Sequence, residues 1–156
     1  MSVTIRIAES AADRLACWRI RERVFIEEQR IAEDVERDGL DDIAWHLAAW
    51  DGDEAIGTVR VLGVDGAHRF VRPARGTIAK IGRMAVLPSD RRRGIGRRLL
   101  DAALDLARRE GIVRAELSAQ ETVVPFYARA GFTIEGEPYE EAAIPHRKMI
   151  RELEPE

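Results

Sequence analysis

The segment Ile81–Leu100, IGRMAVLPSDRRRGIGRRLL, limits what this chain can fold into more than any other. Its first part, Ile81-Gly82-Arg83-Met84-Ala85-Val86-Leu87, is apolar enough to predict a buried strand. Pro88-Ser89-Asp90 ends that strand, because proline cannot continue a ladder and Ser and Asp favour turns and helix starts. Arg91-Arg92-Arg93-Gly94-Ile95-Gly96 follows, and then a long amphipathic run. A strand that passes through a basic, glycine-bearing turn into a helix suits an anionic phosphate, since the first helical N–H groups lack partners and the helix dipole is positive there. Gly94 and Gly96 permit close approach of the backbone, and Arg91, Arg92, Arg93 and Arg97 add charge around it. The plainer alternative is an ordinary strand–turn–helix whose arginines form a solvated face.

The remaining composition narrows the class. A length of 156 residues predicts one domain, 1–156, with a sizeable core. The 46% apolar and 34% charged fractions fit a soluble globular protein and not a disordered one. A net charge of −3 makes the arginine cluster a local feature and argues against general nucleic-acid binding. No apolar run approaches membrane-spanning length, and MSVTIRIAES lacks the apolar centre of a signal peptide, so no membrane partner is expected. Cys17 stands alone and cannot form an internal disulfide, which makes the cytoplasm the default location. No Cys/His spacing predicts a metal site.

Along the chain, Thr4–Ile7 alternates as a first strand, and 10–29 reads as a helix with a broken apolar stripe of Leu15, Trp18, Val24 and Phe25. On it, Cys17 and Trp18 read as core. The acidic stretch 30–42, with Glu33, Asp34, Glu36, Asp38, Asp41 and Asp42, is either a solvated loop or the lining of a site for a cationic substrate. Strands at 44–50 and 55–64 flank the hairpin turn Asp51-Gly52-Asp53. An exposed connection fills 64–76, and Thr77 opens the motif strand. A helix runs from Gly96 to about Glu110, with Ile95, Leu99, Ala103 and Leu106 on its apolar face and Gly111 as its stop. Then come a strand at 114–119, a short helix at 121–130, a strand at 132–134, a loop at 138–145 and a last strand at 147–151. Helices mixed with strands in this order predict an α/β (α+β) domain around one mixed sheet.

The run Arg91-x-x-Gly94-x-Gly96 resembles the pyrophosphate-binding motif of the GNAT acyltransferase superfamily, whose members use acetyl-coenzyme A. It matches neither a Walker loop nor a Rossmann fingerprint. Downstream, Ala119-Gln120 and then Pro125-Phe126-Tyr127-Ala128-Arg129-Ala130-Gly131-Phe132 resemble the family's A-x-F-Y-x-x-x-G-F block, and the element order is similar across nearly the whole chain. The resemblance implies a mostly antiparallel central sheet flanked by helices and splayed between the motif strand and the next. It implies that Arg91, Arg92, Arg93, Gly94, Ile95, Gly96 and Arg97 hold pyrophosphate, and that the backbone of Met84, Ala85 and Val86 holds pantetheine and supplies an oxyanion donor. It implies that Tyr127 protonates the leaving thiolate, a role that suits an uncharged O–H donor against a thiol of pKa near ~8.5. The alternative for Tyr127 is packing against the preceding helix.

A general base is less evident. Relatives often carry a glutamate early in the motif strand, where this chain has Lys80-Ile81-Gly82-Arg83, so His46, His146, Glu116 or water remain as candidates. Arg23-x-Phe25, Glu27-Glu28-Gln29, Glu36-x-Asp38-x-x-Asp41, His46, Lys80-Ile81-x-Arg83, Ala119-Gln120 and Ile144-Pro145-His146-x-x-Met149 together resemble the ElaA-like branch. That likeness places Arg83, Gln120 and His146 near one another around the acceptor, with His46 as a further substrate-side residue. The expected activity is transfer of acetyl from acetyl-coenzyme A to a small-molecule or peptide amine by direct attack, without a metal, in a protein that could act as a homodimer. The rivals are a signal synthase of the acyl-homoserine-lactone type and a non-catalytic acyl-coenzyme A sensor or partner-binding module.

Overall fold

The computed structural model describes residues 2–154. Strand β1 (Val3–Ile7) leads to helix α1 (Ala11–Arg21), whose start is capped by the Ser10 hydroxyl accepting the Asp13 amide at 3.0 Å. The helix continues without a break as a π-helical stretch through Glu22–Glu28. A single turn, α2 (Glu33–Glu36), precedes strands β2 (Trp45–Asp51), β3 (Glu54–Val64), β4 (Phe70–Val71) and β5 (Ile78–Val86). The chain then forms α3 (Ile95–Arg109), β6 (Arg114–Gln120), α4 (Val124–Arg129), β7 (Thr133–Ile134), β8 (Tyr139–Glu141) and β9 (Ile144–Glu152).

The strands form one sheet in the order β1-β2-β3-β5-β6-β9-β7, with β4 paired to β3 and β8 to β9. Every pairing is antiparallel except β5 with β6. Strand alternation sends Leu47, Val59, Val61, Ala79, Ile81 and Leu117 to one face, where they bury against Ile95, Leu99, Ala103 and Leu106 of α3. On the opposite face Ala48 and Trp50 pack with Cys17, and Ala85 packs with Ile20 and Val24. Helices therefore cover both faces, as the sequence pattern and the family likeness imply.

Four local expectations change. The buried stripe of the first helix is Cys17, Ile20, Arg21 and Val24, while Leu15 and Trp18 are exposed. The Trp18 indole N–H reaches Asp41 Oδ2 at 3.0 Å, so it joins a polar layer and not the core. The 138–145 loop contains β8 and the start of β9, because residues 139–141 fold back on 144–146 as a hairpin. The 64–76 connection likewise contributes β4 to the sheet. Both short strands lack an apolar alternation long enough to reveal them, and it is the neighbouring strand's free edge that orders them.

Candidate active site

Strands β5 and β6 are in register only over Ala79–Ile81 and Ala115–Leu117. Beyond that point β5 stays with β3 as far as Val86, and β6 stays with β9 as far as Gln120. Two parallel strands that part company leave backbone N–H and C=O groups unpaired on both walls of a V-shaped gap. The gap lies between Gly82–Val86 and Ser118–Gln120.

Strand β5 carries a bulge at this point. Thr58 opposes Ala85 and Arg60 opposes Gly82, so Arg83 and Met84 share the single partner Val59. Arg83 has φ +48°, and among the described residues it is the one non-glycine residue inside a strand at positive φ. A left-handed conformation costs a residue with a Cβ about 1–2 kcal/mol. The extra residue reverses the pleat: Ala79 and Ile81 face α3, yet after the bulge Ala85 faces α1 and Met84 and Val86 pack toward α3.

The phosphate-type turn sits at the end of the same strand. Gly94 caps α3 from the left-handed region at φ +75°, which favours glycine. A Cβ at Gly94 would meet no atom within 4 Å, and one at Gly96 would meet only the Phe126 ring at 3.7 Å and Val86 at 4.0 Å. The protein's own packing therefore does not fill the space above this turn, which fits an anionic group seated on the first amides of α3. The side chains divide unequally. Arg91 makes a bidentate ion pair with Glu28 at 2.6 and 2.7 Å and donates to the Val86 carbonyl at 3.1 Å. Its bonds hold the Glu28 carboxyl below the usual carboxylate range. Arg93 is tied to Asp90 at 2.6 Å and Asp51 at 3.3 Å, and Arg97 to Asp101 at 3.1 Å. Arg92 is exposed, at φ +70°.

Tyr127 lies on α4, in the helix that directly follows β6. Its ring is edge-on to Phe126 and Phe132, with centroids 5.0 and 6.1 Å away. It is packed against the core on the α3 side of the sheet. Burial alone pushes the phenol up to about 12, so at neutral pH it is a neutral hydroxyl and a potential proton donor.

The α1 side of the gap is polar. Gln120 donates to the Gln29 carboxamide at 3.0 Å, and His146 is the cross-strand partner of Gln120. The His146 Nδ1–H donates to the Ile144 carbonyl at 2.6 Å, leaving Nε2 toward Glu141 at 3.5 Å, with Tyr139 stacked on the ring. Tyr139 also bonds Ser118 on β6. The structure thus brings Gln120 and His146 together, while the Arg83 guanidinium turns to Val35, Glu36 and Asp38 instead. Glu116 sits 3.6 Å from Lys148. His46, 2% exposed, donates from Nε2 to the Asp41 carbonyl at 2.9 Å, and burial lowers its pKa, which keeps it neutral. Its contacts are those of a structural histidine.

The acidic stretch divides: Glu33, Asp34 and Asp42 are exposed, whereas Glu36, Asp38 and Asp41 are taken up by arginines. Arg21, Glu36, Arg83, Asp38, Arg60 and Asp41 form a closed ring in which every arginine bridges two carboxylates. The links are Arg21–Glu36 at 2.5 Å, Glu36–Arg83 at 3.5 Å, Arg83–Asp38 at 3.2 Å, Asp38–Arg60 at 2.8 Å, Arg60–Asp41 at 3.0 Å and Asp41–Arg21 at 2.9 Å. Three positive and three negative charges cancel. Burial acts to raise the Asp38 carboxyl, but Arg60, the Leu40 amide and Arg83 outweigh it and hold the group at about 2. Arg21, Arg60 and Gln29 were missed as site-shaping residues. Arg21 read simply as helix and Arg60 as strand, Gln29 stood in the branch pattern without a role, and their partners lie 15 to 91 residues away.

Comparison with known proteins agrees with this geometry. Residues 19–153 match the family model described as an acetyltransferase (GNAT) domain. The chain is 30% identical over 146 residues to Protein ElaA of Escherichia coli, covering 92% of this chain and 90% of that one. The crystal structure of Escherichia coli ElaA superposes with a TM-score of 0.78 at 26% identity, covering 96% and 99% of the two chains. An acyl-CoA N-acyltransferase from Pseudomonas aeruginosa gives a TM-score of 0.78 at 30% identity, covering 96% and 98%. An aminoglycoside 6′-N-acetyltransferase complexed with coenzyme A shares the fold, with a TM-score of 0.73 at 16% identity and coverage of 100% and 99%.

Proposed function

The chain belongs to the GNAT acetyltransferase family, and from that premise we propose that it transfers acetyl from acetyl-coenzyme A to a primary amine by direct attack. The observation that carries this reading is the gap between β5 and β6, with the open glycine turn at one end and the neutral Tyr127 hydroxyl on the helix after β6. A related fold holding coenzyme A supports the choice of donor.

In this reading the amides of Gly94, Ile95 and Gly96 and the charges of Arg92 and Arg97 receive the pyrophosphate, and Arg91 can trade Glu28 for it. The Met84–Val86 backbone, unpaired on its β6 side, receives the pantetheine arm and polarises the thioester carbonyl. A neutral amine attacks the carbonyl carbon, the carbon–sulfur bond breaks as the Tyr127 O–H passes its proton to the departing sulfur, and the nitrogen gives up a proton to water, from which the Tyr127 oxygen regains one. The acceptor approaches from the α1 side, past Gln120, Gln29 and His146. The ring pairs Glu36, Asp38 and Asp41 with Arg21, Arg60 and Arg83, so these three carboxylates are not free to receive an amine. The acceptor in this reading is a small-molecule or peptide amine.

Tyr127→Phe tests the reading. It removes the donor and keeps the ring, so acetyl transfer should fall roughly ten- to ten-thousand-fold with coenzyme A affinity nearly unchanged. Thiol release measured over a panel of amines reads the rate, and turnover near wild type would move the acid role elsewhere.

A further inference from the structure

Arg83 occupies the bulge that decides which amides of β5 face the gap. In an extended strand the N–H and C=O groups point alternately to either side, so one inserted residue exchanges the two sets. With the bulge, the amides beyond Arg83 are presented in the opposite phase to those of Ala79–Ile81, which pair with β6. Inside a strand, φ +48° is a cost to a residue with a Cβ that its surroundings must offset.

That offset comes from its own side chain. Arg83 Nη2 donates to the carbonyls of Val35 at 3.2 Å and Glu36 at 3.0 Å, and Nε to Glu36 O at 3.3 Å. The same guanidinium closes the ring of ion pairs through Glu36 and Asp38. Arg21 and Arg60, which hold the other sides of these carboxylates, are rooted in α1 and β3 and are nearly fully buried. The segment carrying α2 is thereby fixed to two rigid elements, and through Arg83 it fixes the bulge. Gly82, next in sequence, leaves open space at the same place, since a Cβ there would meet no atom within 4 Å.

We infer that Arg83 is a positioning residue, which uses the ring to lock the β5 bulge so that the amides beyond it that do not pair with β3 point into the gap at the thioester carbonyl. The inference rests on the proposed acetyl-coenzyme A reading. A lysine at this position would keep the charge but not the fork that takes two carbonyls at once.

The test compares wild type with Arg83→Met, Arg83→Lys and Asp38→Asn, the last neutralising a ring member that lies outside β5. Calorimetry reads coenzyme A affinity, and infrared difference spectra of bound acetyl-coenzyme A carrying a 13C-labelled carbonyl read polarisation. In wild type the stretch should lie below its value in water. In Arg83→Met it should return toward that value, with acetyl transfer down roughly 10²–10³-fold and coenzyme A affinity within about threefold. Arg83→Lys should lie close to Arg83→Met, and Asp38→Asn should move the same way by less. A merely structural role predicts a lower melting temperature with the wild-type stretch in every folded variant, and that result overturns the inference alone. If Arg83→Met does not fold, a wild-type stretch in Arg83→Lys and Asp38→Asn overturns it equally. Wild-type protein that binds no coenzyme A overturns both this inference and the proposed donor.

Discussion

The arginines of the β5–α3 turn and those of the buried ring are one side chain in two physical situations. Arg91 and Arg97 are more than a third exposed, and each meets one carboxylate at the surface. Arg21 and Arg60 are 1% and 5% exposed, and each bridges two carboxylates. An exposed pair contributes little, because water competes for both partners, so its arginine can be transferred to an arriving phosphate at small cost. A buried pair has no such alternative, and losing one partner strands the other charge in a poor solvent. Burial, not residue type, separates the arginines free to exchange partners from those that are not. Arg93 is intermediate, tied to Asp90 and Asp51 and a quarter exposed.

The largest effect should come from opening the ring. Arg21→Met leaves Glu36 and Asp41 without their shared partner, and should cost about 3–5 kcal/mol of stability. For a chain of this size that lowers the melting temperature by roughly 10 °C, which calorimetry would register. A loss under about 1 kcal/mol would place the ring with the surface pairs and remove the contrast.

Acid should act next on the same ring. The Asp38 carboxyl sits at about 2 in the folded protein against about 3.9 in an unfolded chain, so on acidification the unfolded chain takes up its proton first. The stabilisation is complete above about pH 4 and disappears as the pH falls toward 2. Asp38→Asn should flatten the stability profile over that window in urea titrations, and an unchanged profile would remove Asp38 from the ring's acid response.

The turn should show the reverse pattern, with binding affected and stability preserved. Gly96→Val puts side-chain atoms beside the first amides of α3, where protein contacts are ordinary but an anion must come close. Coenzyme A affinity should drop at least about tenfold, or about 1.4 kcal/mol, with little change in melting temperature. Calorimetry with unchanged affinity would remove the pyrophosphate assignment.

The smallest effect is expected for Glu28→Gln. It breaks an exposed pair, so stability should shift by less than about 1 kcal/mol. It also frees Arg91, so coenzyme A should bind slightly tighter, with a steeper dependence on salt. Weaker binding would mean that Glu28 helps to shape the turn and does not compete for it.

Much of this was legible along the chain. The strand–turn–helix of residues 81–110 announces itself because every part of it is local: a short apolar run, a proline stop, two glycines and a repeating apolar face. Tyr127 is legible in the same way, through neighbours within five residues. The acid role proposed for it, like the phosphate role proposed for the glycine turn, came from likeness to a family and not from periodicity. The acidic stretch was ambiguous for a physical reason. A carboxylate in sequence carries no mark of its partner, and Glu36, Asp38 and Asp41 find theirs on three separate elements. Arg21 was similarly concealed, since a lone arginine on a helix reads as solvent-facing until something charged covers it.

Local order thus determined the elements, the open glycine shape of the turn and the family, because helix periodicity, proline and glycine act over a few residues. Tertiary structure alone decided which strands part at Ile81, where β5 bulges and which charges cancel. Those depend on pairings between strands and side chains that are distant in sequence, and a hydrogen bond or ion pair forms wherever folding brings its two ends together.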